Sequence, residues 1–139
     1  MPYTERFSEE WELIDSIAPA SYNAEQNTGL LSLANYVRTV IILHAGVLGG
    51  ALAVDIEESA TAAGALTSFD TASKDIDLVG TTDDDTISVI EIRNEEFSAG
   101  FSYLNVEITP GAACIFGLQV WGLPVYKPAA TTNLDSVTD

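Results

Sequence analysis

Few side chains in this sequence can carry nucleophilic or metal chemistry. The only imidazole is His44 and the only thiol is Cys114. Catalysis of the Ser-His-Asp or Cys-His kind needs a base hydrogen-bonded to its nucleophile. His44 stands among Ile41, Ile42, Leu43 and Ala45, which reads as a structural histidine. Cys114, with Ala113, Ile115 and Phe116 around it, reads as a buried, inert thiol that cannot close an intrachain bridge. One Cys and one His cannot supply a zinc site.

The run Asp83-Asp84-Asp85 is the best candidate for a hard cation, because calcium takes about six to eight oxygen ligands from carboxylates and carbonyls. Adjacent carboxylates in a loop ordinarily face water, however, and the spaced ligands and closing Glu of an EF-hand are missing. Paired carboxylates also serve glycosidases, but no motif fixes one pair in a cleft. No Gly-x-x-x-x-Gly-Lys phosphate loop occurs either. The expectation is a protein that is not an enzyme, with no catalytic residues, metal or cofactor. Trp11, Tyr22, Tyr36, Trp121 and Tyr126 are of the type that stacks on sugars, which makes a carbohydrate-binding β-sandwich module the alternative reading. Against it, Trp121 ends an apolar strand and Trp11 shares a face with Leu13, so both are expected to be buried.

The charge balance narrows the partners. Twenty-one acidic side chains face five basic ones, Arg6, Arg38, Lys74, Arg93 and Lys127, for a formal charge of −16. Nucleic acid and anionic membrane are both excluded as expected partners, since each presents phosphates to a surface that would repel them. A basic protein surface fits, and so does a saline habitat. The start, Met1-Pro2-Tyr3-Thr4-Glu5, lacks the basic and apolar stretches of a signal peptide. The longest apolar segment, Val40 to Leu52, is too short to span a bilayer, so neither export nor anchoring is expected.

The elements that must position these residues are strands. Short runs rich in Val, Ile, Leu and aromatics recur between clusters of Gly, Asn, Asp, Ser, Thr and Pro, the pattern of an all-β, antiparallel β-sandwich or jelly roll in a single domain. Trp11 to Ile17 reads as a strand that stops before Ala18-Pro19, because Pro interrupts a ladder. Leu30 to Leu33 and Val37 to Ala45 follow the turn Asn27-Thr28-Gly29. Within the second, Val40-Ile41-Ile42-Leu43 predicts a central strand covered on both faces. After a break at Gly46 to Gly50, Ala51 to Glu57 alternates, with Leu52, Val54 and Ile56 inward. Weaker segments run from Ala65 to Phe69 and from Lys74 to Val79. In Thr86 to Arg93 the alternation slips between Val89 and Ile90, predicting either a doubly buried strand or a bulge. Asn94 to Gly100 allows one helical turn. Tyr103 to Thr109 and Ala112 to Trp121 are expected to form a hairpin about Pro110-Gly111, with Gly111 taking a positive backbone angle. Residues 1–10 are read as an N-terminal arm, 11–128 as the β-sandwich domain and 129–139 as a flexible C-terminal tail.

The Asp83-Asp84-Asp85 loop leads into Thr86-Ile87-Ser88-Val89-Ile90-Glu91-Ile92-Arg93 and the acidic turn Asn94-Glu95-Glu96-Phe97. Gly100-Phe101-Ser102-Tyr103-Leu104-Asn105-Val106-Glu107-Ile108 follows, then Gly111-Ala112-Ala113 and the closing Gly122-Leu123-Pro124-Val125-Tyr126-Lys127-Pro128-Ala129. In these segments the sequence resembles the head decoration, or cement, proteins of tailed bacteriophages. The resemblance covers most of the chain and is one of texture rather than of a catalytic signature. It implies a β-sandwich or jelly-roll subunit, a homotrimer, made in the host cytoplasm and bound to the capsid exterior of the virion. There it would bridge subunits of the major capsid protein and stabilise the head; another virion position, such as a tail or fibre, stays open. It transfers no residue of defined role. Docking contacts are therefore placed by position, on the arm with Tyr3, Phe7 and Trp11 and on the tail with Tyr126 and Lys127, because chain ends that cannot fold on themselves can order on a partner.

Overall fold

The computed structural model describes residues 7–125. The strands are β1 (Glu12–Tyr22), β2 (Gln26–Asn27), β3 (Leu31–Ser32), β4 (Tyr36–Leu48), β5 (Leu52–Ser59), β6 (Thr67–Ser68), β7 (Ile76–Leu78), β8 (Ile87–Arg93), β9 (Tyr103–Pro110) and β10 (Cys114–Pro124). One sheet, A, has the order β1-β10-β4-β8. In the other, B, β9 and β5 lie side by side; β2 and β3 share the outer edge of β9, and β6 and β7 share the outer edge of β5. When each pair of short edge segments is joined, eight strands remain, four per sheet and all antiparallel. Every link except that from β5 to β6 and β7 crosses from one sheet to the other. That wiring is a jelly roll.

The two-residue period of the strands fills the space between the sheets. Sheet A sends Ile41, Leu43, Ala45, Ile90, Ile92, Phe116, Leu118 and Val120 inward, and sheet B answers with Leu52, Val54, Ile56, Leu104, Val106 and Ile108. Phe69, in a 3-10 turn after β6, closes one end with its ring edge-on to Phe97 at 5.1 Å. Cys114 is buried, as expected, and its thiol lies 3.6 Å from the Gly50 carbonyl. Glu58, 2 % exposed, is the one carboxylate among the described residues drawn into this layer; the backbone N–H and the hydroxyl of Ser98 both donate to it.

Several local expectations need correction. The segments on either side of Pro110-Gly111 do not pair with each other. β9 belongs to sheet B and β10 to sheet A, so the turn is a corner between layers, and Gly111 has no positive φ. The corner is fastened to the β4–β5 corner by Gly49 N–H to Ala113 O (2.9 Å) and Gly111 N–H to Ala51 O (2.7 Å). β1 does not stop at Ile17 but continues to Tyr22. Pro19 is tolerated because β1 is an edge strand whose register shifts between Ile17 and Ala20, and because Gly117 on β10 leaves room for its ring. β4 runs through Gly46 to Leu48, so the break is confined to Gly49-Gly50. β8 is neither doubly buried nor bulged: its register with β4 is regular, Ile90 and Ile92 face the core, and Ile87 and Val89 face outward at 62 % exposure each. Asn94–Glu96 does form a single helical turn.

At Gly49 an added Cβ would lie 2.4 Å from the Ala113 carbonyl oxygen, at the point where the two corners cross. Gly49→Ala should therefore force the corners apart and lower unfolding stability by about 1–3 kcal/mol. Urea denaturation followed by tryptophan fluorescence is the measurement; an unchanged midpoint would mean that the corners do not lock the sheets.

Candidate docking faces

With the core filled from both sides, what remains for function lies on the two outer faces. The face of sheet A follows from the register. Leu13, Trp121, Val40 and Glu91 form one row across its four strands; Ser16, Gln119, Ile42 and Val89 form the next; Gly117, His44 and Ile87 form a third. This face is mostly apolar because β4 is apolar at successive positions while only alternate ones can point inward. A helical turn, Phe7–Glu10, covers one end of it. Phe7 stacks on Trp11 at 6.0 Å and meets Trp121 edge-on at 4.9 Å, and the three rings line one small apolar cleft with Val40 and Ile42. Phe7 is still 55 % exposed. Beside this cluster a trench of about 340 Å³ runs over Gly117, walled by Ile17, Pro19, Ile42, His44 and Trp121. The Trp121 indole N–H donates to the side-chain amide oxygen (Oε1) of Gln119 at 2.9 Å.

Sheet B presents the opposite chemistry. Asp55 faces Glu107 across the β5–β9 ladder and Glu57 faces Asn105. Like charges directly opposite one another repel. The Asp55 carboxyl is raised above its usual range first by desolvation and then by Asp75, Glu57 and Asp77; that of Glu107 is raised first by desolvation and then by Glu25, Glu57 and Asp55. Asn105 is 4 % exposed and its side-chain amide donates to Glu57 at 2.8 Å, while its side-chain oxygen Oδ1 has no partner among the described residues.

The three described cations gather at one end of β8, each beside a carboxylate: Arg38 with Glu91 at 3.0 Å, Lys74 with Glu96 at 3.2 Å and Arg93 with Glu95 at 3.8 Å. At the start of β4 the Tyr36 hydroxyl is pushed up to about 12 by burial and then by the Glu12 carboxylate to which it is hydrogen-bonded.

Of the residues expected to dock, the fold brings Phe7 and Trp11 together and adds Trp121 to them; Tyr3, Tyr126 and Lys127 lie outside the described residues, as does the 129–139 tail. The arm boundary at residue 10 cuts through one aromatic cluster, since Phe7 and Trp11 are stacked. Trp11 and Trp121 sit half-buried on the outer surface of sheet A and not in the core. His44 is likewise exposed, because Leu43 and Ala45 take the inward positions on either side of it. In the acidic loop, Asp84 accepts the Leu48 N–H at 2.8 Å and Asp83 the Val79 N–H at 2.7 Å, so these carboxylates hold backbone. Among the described residues no three His, Cys, Asp or Glu side chains form a metal-binding group. Sequence reasoning missed the outward pair Ile87 and Val89. Their odd positions, against the even positions of Ile90 and Ile92, were the available signal.

No protein-family model and no curated protein matches the sequence. Among solved structures, the chain is similar to one from Triatoma virus (10 % identity, 96 % of this chain and 74 % of that one covered, TM-score 0.44). It is also similar to one from broad bean stain virus (10 %, 99 % and 97 %, 0.43) and to a Bacillus endospore appendage pilus protein (11 %, 89 % and 99 %, 0.42). The jelly-roll assignment rests on the strand ladders themselves.

Asp55 and Glu107 have the pH consequence of a raised carboxyl. Above the ordinary carboxylate range the unfolded chain releases these protons more readily than the folded one, so folding stability falls as pH rises through that window. The melting temperature at low ionic strength should be higher at pH 5 than at pH 7 as far as these two groups contribute. Asp55→Asn and Glu107→Gln should each raise the pH 7 value by a few degrees (roughly 2–4 °C) and flatten the pH dependence, and added NaCl should do the same for the native chain. Differential scanning calorimetry checks this; destabilised variants would show that the pair is not repulsive.

Proposed function

We propose that this protein is a structural component of a tailed-phage virion that binds the outside of the head and bridges major-capsid subunits, acting by attachment and not by catalysis. The observation that carries the proposal is the apolar outer face of sheet A. Trp121, Val40, Ile42, Val89 and Ile87 continue from strand to strand there, and only the Phe7–Glu10 turn lies over them among the described residues. Contiguous apolar surface of this kind marks a protein-binding face, and clustered Trp and Phe are the usual anchors of one. A jelly roll alone does not assign a function. Together with the acidic outer face of sheet B, it makes a two-sided wedge suited to a complementary, basic protein surface.

A protein that bridges neighbouring subunits adds binding free energy that must be lost before a pressurised shell opens. Many copies on one particle make modest contacts additive, which fits a homotrimer whose subunits each offer one apolar face.

The test is co-sedimentation with expanded, empty heads of the parent virus, together with the heads' melting temperature. The native protein should bind and raise that temperature. Phe7→Ala and Trp121→Ala should each weaken binding by about tenfold or more while the isolated protein stays folded. Binding to a glycan array in place of heads would favour the carbohydrate-binding reading, and turnover of a model glycoside would make the protein an enzyme.

A further inference from the structure

The sandwich has four edges, and three are interrupted. β1 carries two register shifts and Pro19, and the Tyr22 hydroxyl donates to the Ala18 carbonyl at 2.6 Å. The outer edge of β9 is split between β2 and β3, with Gly29 at φ +70° between them. The outer edge of β5 is split between β6 and β7 by the 3-10 turn at Phe69–Ala72. Short, bulged and proline-bearing edges are how sandwiches avoid unwanted strand pairing. β8 is different, with seven residues in unbroken register with β4.

The direction of its backbone groups follows from the ladder. The Ala45 N–H donates to Thr86 O at 2.9 Å, so in the ladder that follows Ser88, Ile90 and Ile92 turn their amides toward β4. Ile87, Val89, Glu91 and Arg93 turn theirs outward. Two of these outward groups are already occupied: Lys74 Nζ donates to Glu91 O at 3.1 Å, and the Arg93 N–H donates to Glu96 Oε2 at 2.6 Å. The N–H and C=O of Ile87 and Val89 have no such cover among the described residues, and both side chains are 62 % exposed. Next to Val89 the edge opens onto a groove of about 300 Å³ lined by Ser73, Lys74, Asp75 and Ile76. At the Ile87 end stands the Asp83-Asp84-Asp85 loop.

We infer that the Ile87–Val89 edge receives an extended segment of another protein, added as a fifth strand of sheet A. Main-chain bonds to Ile87 and Val89 supply the affinity, and side chains at alternate positions supply the selectivity. The incoming segment is apolar at alternate positions, to cover Ile87 and Val89, and carries a lysine or arginine where it passes the Asp83–Asp85 loop. The competing occupant is a second copy of this chain, whose association the net charge of −16 opposes at low ionic strength. The inference holds whether or not the partner is a capsid.

The probe is an acetylated synthetic peptide, Lys-Val-Thr-Val-Thr-Val, compared with a counterpart carrying Glu in place of Lys, and the readout is amide hydrogen exchange by NMR on the full chain. With saturating Lys peptide, exchange at Ile87 and Val89 should slow by about tenfold and amides of β1 should not change; the Glu peptide should protect them far less. Val89→Pro should abolish protection without changing the melting temperature, because the amide it removes points away from β4. Val89→Lys keeps the amide and, by like charge, should also weaken the Lys peptide, which covers the case in which the proline variant does not fold. Protection on β1, equal protection by both peptides, or full protection in Val89→Lys would overturn the inference. So would dimerisation of the protein alone, seen by sedimentation and lost in Val89→Pro, which would assign the edge to a second copy.

Discussion

β4, the longest of the described strands, is apolar on both sides, and each apolar face gains by being covered. Sheet B covers one face by packing Leu52, Val54, Ile56 and their neighbours against Ile41 and Leu43. The other face carries Val40 and Ile42, which among the described residues share one small cleft with the Phe7, Trp11 and Trp121 rings. The rest of that face continues onto β8 as Val89 and Ile87. The surface best suited to a partner is therefore a direct consequence of how the central strand is satisfied.

Covering one face of β4 requires the two sheets to be held in a fixed relation, and the crossing corners do this. The bonds between Gly49 and Ala113 and between Gly111 and Ala51 tie the β4–β5 and β9–β10 links together where both leave one layer for the other. At Gly49 and Gly50 the facing corner, at Ala113 and Ala112, leaves no room for a side chain. Asp84 adds a third tie by accepting the Leu48 amide at the end of β4. What looked like a cation-binding run is thus partly spent on the same corner.

Charge divides the molecule further. Carboxylates crowd the outer face of sheet B, where Asp55 and Glu107 oppose each other, while the described cations are paired around β8. Self-repulsion on one side and apolar surface on the other give the sandwich a direction. Covering sheet A would bury apolar surface, whereas the acidic side favours water or a basic surface.

The sequence by itself determined the all-β class, the inward set on β5 and β9, the buried thiol at Cys114 and the acidic character, because period-two alternation and charge are local properties of the chain. It did not determine which strands pair. Tyr103–Pro110 and Cys114–Pro124 look like a hairpin at short range, yet they lie in different sheets, since each gains more by pairing with distant strands than with each other. Nor could it say which face of a doubly apolar strand turns outward. Parity against the opposing sheet decides that, and it exposed His44, Ile87 and Val89 while bringing Phe7, Trp11 and Trp121 into one cluster. Pro19 stopped the strand on paper and not in the fold, because only the tertiary structure places β1 at an edge with a glycine opposite.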